Sequence, residues 1–141
     1  MDHTIPSLLK PTLKTKFWID FDWWKSKDRN WRNALLSYLC DEHQSVFEHT
    51  DINDEFDLVD PVTAKVTRGD ALLNTLINHC ATQPGFISEN APIVDTIFKV
   101  FLVNHNEPQT AKQLSEVVHQ SAEMILRTIG TGRTYKGIRP L

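Results

Sequence analysis

The amino-acid sequence predicts an α+β fold, mainly helical, with a short N-terminal strand and one β-hairpin. Three observations carry this expectation. Apolar and mixed positions alternate with period two across Lys16–Lys25. A second pair of alternating runs flanks Asp60-Pro61. Elsewhere apolar residues return at helical spacing, with hydroxyl, amide or carboxylate residues ahead of the stripes.

Taken in order, residues 1–15 hold Pro6 and Pro11 without periodicity and read as an extended arm. In the strand that follows, Phe17, Ile19, Phe21 and Trp23 share one side, and Trp18, Asp20, Asp22 and Trp24 the other. From Asn30, the spacing of Trp31, Leu35, Leu39, Val46 and Phe47 predicts one amphipathic helix running to His49. Phe56–Thr67 reads as a hairpin turning at Asp60-Pro61. Asp70 is placed to cap a helix with the stripe Leu72, Leu73, Leu76, Ile77 and Cys80, ended by Gln83-Pro84-Gly85. Asn90-Ala91-Pro92 opens a further helix with proline in the first turn, where its missing N–H is harmless. Ile93, Ile97, Val100 and Phe101 face inward, and Asn104-His105-Asn106 closes the helix. The expected division is an α+β platform over residues 1–88 and a second domain over residues 89–141.

Composition narrows the function classes. The chain has 141 residues, an apolar fraction of 40% and a charged fraction of 23%, enough for a globular interior. No apolar run reaches the roughly 18–20 residues of a membrane span, so no membrane partner is expected. Met1–Pro6 lacks a basic region followed by an apolar stretch, and Cys40 and Cys80 are the two cysteines. The expectation is a cytoplasmic protein with reduced thiols. The formal net charge of −3 argues against a general polycation, but the charge is segregated. Residues 10–32 carry seven basic side chains against three acids, residues 41–60 carry eight acids and no Lys or Arg, and no acid follows Arg127. Such asymmetry marks either a polyanion-binding face or mutually compensating faces.

The most specific local pattern lies near the C-terminus. Thr110-Ala111-Lys112-Gln113 is a capping box, in which hydroxyl and amide satisfy two N–H groups reciprocally. Ser121, eleven residues on, caps a second helix over Ala122–Ile129. Two capped helices about three residues apart, with Ala91–Asn104 as support, form a helix-turn-helix arrangement. Thr110–Ile129 resembles the winged helix-turn-helix family, with Leu114, Val118, Ile125 and Ile129 inward and small Ser115 at the helix crossing. The resemblance extends over about 50 of the 141 residues. His119 departs from the family's frequent left-handed glycine, and Gln120 from its usual buried aliphatic. Gly130–Leu141 then reads as a shortened wing, one basic and aromatic strand pairing with the segment between the first two helices.

What the resemblance implies is a non-enzymatic nucleic-acid-binding or regulatory protein. Its third helix, exposing Ala122, Glu123, Met124, Leu126 and Arg127, would enter the major groove of double-stranded DNA. Arg127 is the natural phosphate partner there, and Arg133, Lys136 and Arg139 of the wing supply further positive charge. Glu123, Met124 and Leu126 suit a groove poorly, so the alternative is a protein-protein adaptor or subunit of a larger complex. That adaptor would dock through Met124, Leu126 and Trp24.

Several further constellations have plainer readings. Cys40, His43 and Cys80, with His79 or His49, form a conceivable zinc set. Adjacent His79 and Cys80 would diverge by about 100° on a continuous helix, and Cys80 already belongs to an apolar stripe. No metal and no cofactor are therefore expected. Asp51, Asp54, Glu55, Asp57 and Asp60 lack the glycine and terminal glutamate of a calcium loop. No phosphate loop or nucleophile elbow occurs, so no catalytic residue is assigned. Trp18, Trp23, Trp24 and Trp31 read mainly as core, against stacking on single-stranded bases.

Overall fold

A four-residue strand with two fully buried side chains, Phe17 and Ile19, organises one half of the fold. The computed structural model describes residues 10–48, 55–59, 62–64, 66–88, 90–131 and 134–141. It is α+β, and the chain divides into two units, residues 1–27 with 87–141, and residues 28–86. The expected boundary at residue 88 is corrected by this division, since the N-terminal segment belongs with the C-terminal helices.

The reason is long-range pairing. Strand β1 (Lys16–Ile19) is the middle strand of an antiparallel sheet, between β4 (Gln109–Thr110) and β5 (Ile138–Pro140). Lys16 lies opposite Thr110, and Ile19 opposite Ile138. Asn106 clamps the end of β1: its Oδ1 accepts from the Ile19 N–H at 2.8 Å and its Nδ2 donates to the Ile19 carbonyl at 2.8 Å. The expected pairing of the wing is also corrected. Strand β5 pairs with β1, which stands between it and the segment joining the helices.

The second half of the expected N-terminal strand is instead helix α1 (Phe21–Lys27). Asp20 starts it, accepting from the Trp23 N–H through Oδ1 at 3.0 Å and from the Trp24 N–H through its carbonyl at 3.0 Å. Asp22 in the first turn and Lys25 and Lys27 in the last complement the helix dipole. This turns Trp24 inward to 3% exposure, edge-on to Phe98 with centroids 5.6 Å apart. Trp24 is a core residue, which corrects its expected role as a partner anchor.

Three helices complete this unit: α5 (Ile93–Val103), α6 (Ala111–Val118) and α7 (Ala122–Ile129). Pro92 precedes α5, and Ile97, Phe98, Phe101 and Leu102 of that helix are fully buried. The expected inward positions Leu114, Ile125 and Ile129 are buried as well.

In residues 28–86 the helix expected from Asn30 to His49 breaks in two, α2 (Trp31–Leu36) and α3 (Asp41–Glu48). The Ser37 hydroxyl donates to the Ala34 carbonyl at 2.6 Å, and Asp41 and Glu42 favour a new helix start. The hairpin forms as expected from β2 (Glu55–Val59) and β3 (Val66–Asp70), with Glu55 opposite Asp70 and Val59 opposite Val66. Its expected turn at Asp60-Pro61 lies outside the described residues. Asp70 caps α4 (Ala71–Asn78), accepting from the Leu73 N–H at 3.1 Å, while its other oxygen accepts from Arg32. Leu35, Leu39, Leu72 and Leu76 are buried beside them. Helix α4 stops at Asn78, because His79 (φ −124°, ψ −62°) leaves helical backbone, and Cys80–Thr82 begin a separate 3-10 turn.

Candidate functional site

In the first unit, the caps read from sequence set the geometry of α6 and α7. The Gln113 N–H donates to Thr110 Oγ1 at 3.2 Å, and the Thr110 N–H to Gln113 Oε1 at 2.8 Å. The Met124 N–H donates to Ser121 Oγ at 3.1 Å. Between the helices His119 takes the left-handed conformation (φ 63°, ψ 33°) that suits glycine better, and Gln120 is exposed. The outer surface of α7 presents Glu123, Met124 and Arg127 as exposed side chains, with Leu126 half-buried.

The basic residues expected to contact phosphate separate into two groups. Lys136 Nζ donates to Asp95 Oδ1 at 2.6 Å, and Arg139 Nη1 to Asp20 Oδ2 at 3.2 Å. The Arg139 guanidinium also stacks on Trp23, 4.7 Å from the ring centroid. Both charges are already balanced within the fold. Lys136 and Gly137, at φ 49° and 79°, form the tight turn between Tyr135 and Ile138. A Cβ on Gly137 would lie 3.0 Å from Trp24 Cβ and 3.1 Å from the Asp20 carbonyl oxygen, and φ 79° strains a side chain, so the position favours glycine. Arg133 lies outside the described residues. Arg127, in the last turn of α7, is exposed.

The N-terminal arm adds positive charge that sequence reasoning did not assign to this site. Pro11 packs by Gly130, where a Cβ would lie 3.4 Å from Pro11 Cβ. That contact carries exposed Lys10 to the same end of α7 as Arg127, and Lys14 and Lys16 follow, also exposed. Residues 1–27 and 87–141 hold 11 Lys and Arg against 8 Asp and Glu, a formal charge of +3. Residues 28–86 hold 4 against 10, a formal charge of −6. The charge runs in the sequence are the signal; Pro11 beside Gly130 brings the arm to the end of α7.

A groove of about 360 Å³ lies on the same unit, lined by Ile87, Ile93, Thr96, Val117, Val118 and His119. Val117 is 47% exposed and Met124 41%. The acidic unit has a different chemical feature: ligand atoms of Cys40, Glu42, His43 and His79 lie within 4.8 Å of one another, and Cys80 stands beside Cys40 and His43. Cys40 Sγ lies 3.2 Å from His43 Nδ1 and 3.4 Å from Cys80 Sγ, and Cys80 Sγ lies 3.8 Å from His43 Nδ1. His79 and Cys80 do not lie on a continuous helix, because α4 ends at Asn78 and a 3-10 turn begins at Cys80.

No family model, no curated protein and no solved structure matches this chain. Among the described residues, no helix is long and apolar enough to cross a membrane.

Proposed function

We propose that residues 1–27 and 87–141 act as a winged helix-turn-helix module that binds double-stranded nucleic acid through its phosphates. The observation that carries this reading is the juxtaposition of the arm with α7. Pro11 against Gly130 gathers Lys10 and Arg127 at one end of the third helix, on a unit of formal charge +3. The capped α6 and α7, with the left-handed turn between them, support the helix-turn-helix reading. The phosphate contact is assigned to Arg127, Lys10, Lys14 and Lys16 more than to the wing, because Lys136 and Arg139 already pair with Asp95 and Asp20. Glu123 and Met124 at the exposed start of α7 read no base pattern well, so binding is largely independent of sequence.

Fluorescence anisotropy with a labelled duplex, titrated with salt, tests this. Four phosphate contacts give a log–log salt slope of about −3 to −4. Lys10→Ala with Arg127→Ala should weaken binding at about 50 mM salt at least tenfold and flatten the slope by about 2. Absence of binding at that salt, or indifference to both substitutions, would remove the reading. A second reading, a protein adaptor, is favoured by the groove beside Val117 and by exposed Met124. It is supported if no duplex binds and a stoichiometric partner is lost on Met124→Asp.

A further inference from the structure

We propose that residues 28–86 hold a structural zinc ion bound by Cys40, His43, His79 and Cys80. Three of the four donor atoms already stand at coordination spacing. Tetrahedral zinc with Zn–S about 2.3 Å and Zn–N about 2.0 Å has ligand-to-ligand edges of about 3.3–3.8 Å. The observed edges are 3.2 Å from Cys40 Sγ to His43 Nδ1, 3.4 Å between the two sulfurs and 3.8 Å from Cys80 Sγ to His43 Nδ1. The fourth donor comes from His79, whose ring stands at 68° to that of His43 with centroids 4.4 Å apart. One donor atom from each of Cys40, His43 and His79 lies within 4.8 Å of the others, a spread that an ion draws in.

The local backbone explains why the four residues meet. Cys40 stands just ahead of α3, its carbonyl accepting from the Gln44 N–H at 2.9 Å, and His43 comes one turn later. Cys-x-x-His thus presents thiol and imidazole on one side of a helix start. His79 and Cys80 straddle the stop of α4 and the start of the 3-10 turn, where non-helical φ and ψ re-aim adjacent side chains. Two thiolates and two neutral imidazoles neutralise a divalent ion, and an S₂N₂ tetrahedral set selects zinc.

Neither a disulfide nor a catalytic thiol accounts for the whole cluster. The sulfurs at 3.4 Å are well beyond the roughly 2.05 Å of a disulfide. A Cys–His nucleophile uses one thiol and one imidazole and leaves the second pair unexplained. A unit of 59 residues is also of a size at which a metal commonly reinforces a small core. Glu42 is exposed and its carboxylate lies within the same 4.8 Å cluster, but four N and S donors close the site without it.

The test is metal content of the full chain, purified under reducing conditions and measured by plasma mass spectrometry, followed by cobalt substitution. About one zinc per chain is expected, and cobalt should give a thiolate charge-transfer band with the strong visible absorption of a tetrahedral site. Cys40→Ser should lower metal affinity on the order of 100-fold or more and remove charge-transfer intensity, and Glu42→Gln should leave both unchanged. If Cys40→Ser does not fold, cobalt titration of the chelator-stripped wild-type chain gives the same readout without a substitution. Substoichiometric metal with no cobalt spectrum, or a Cys40–Cys80 disulfide that forms without displacing metal, overturns the proposal. The readouts involve no nucleic acid and stand whatever the duplex titration gives.

Discussion

The two units of this chain solve the problem of stability differently. Residues 1–27 with 87–141 rely on aromatic and aliphatic packing: Phe17, Ile19, Phe98, Phe101, Leu114 and Ile125 are all fully buried around a three-stranded sheet. Residues 28–86 also bury Leu35, Leu72 and Leu76, but polar devices join their elements. Asp70 links three of them, ending β3, capping α4 and accepting from Arg32 of α2. The thiols and imidazoles link the start of α3 to the end of α4. A unit built on a few polar junctions fails when one is removed, whereas a packed core gives way by degrees.

The largest effect is expected at Asp70. Asp70→Ala removes a cap and leaves Arg32, whose side chain is 6% exposed, without its anion, so urea unfolding should show a loss of about 3–5 kcal/mol. Arg32→Met, which removes the charge and keeps the volume, should cost clearly less. A similar loss from both would mean that packing, and not the ion pair, holds the junction.

An alkaline effect is expected in the same unit. Burial pushes the Cys80 thiol up to about 11 from an ordinary value of 9.0, and the neighbouring Cys40 thiol adds to the rise. A raised thiol value favours the protonated folded state, so its contribution is complete below pH 9 and is lost as pH rises toward 11. The metal-free chain should therefore lose thermal stability over that window, and Cys80→Ala should abolish the dependence. Metal binding needs the thiolate, so zinc affinity should rise with pH in the opposite sense.

The smallest effects belong to the turn between α6 and α7. Ser121→Ala should cost about 1 kcal/mol by removing the acceptor for the Met124 N–H. His119→Gly should gain about 0.5–1 kcal/mol, because φ 63° strains any side chain. Both are read by thermal melting.

These features were not equally legible in the sequence. Thr110, Gln113 and Ser121 announced their helices because a cap is a contact within three residues. Asp70 was legible for the same reason. The stretch from Phe21 to Lys27 was not, since alternating apolar residues suit a strand and the deciding contact was the Asp20 carboxylate on the Trp23 N–H. Trp24 was misassigned as a consequence. The break after Leu36 is marked only by Asp41 and Glu42, which read equally well as the polar face of one long helix. The place of β1 between β4 and β5 depends on pairings about ninety and more residues apart, which no local pattern reveals. The cysteines and histidines of residues 40–43 and 79–80 were visible as residue types, and their proximity was not. The periodicity suggested one continuous helix through His79 and Cys80, and the stop at Asn78 is not marked by any residue type.

Native-state hydrogen exchange, with zinc and after chelation, tests most directly whether one unit is closed by a metal and the other by its core. The expected result is that amides of α2 and α4 lose protection on chelation, whereas those of α5 and α7 keep theirs. Equal protection in all four helices before and after chelation, in protein shown to have carried zinc, would contradict it.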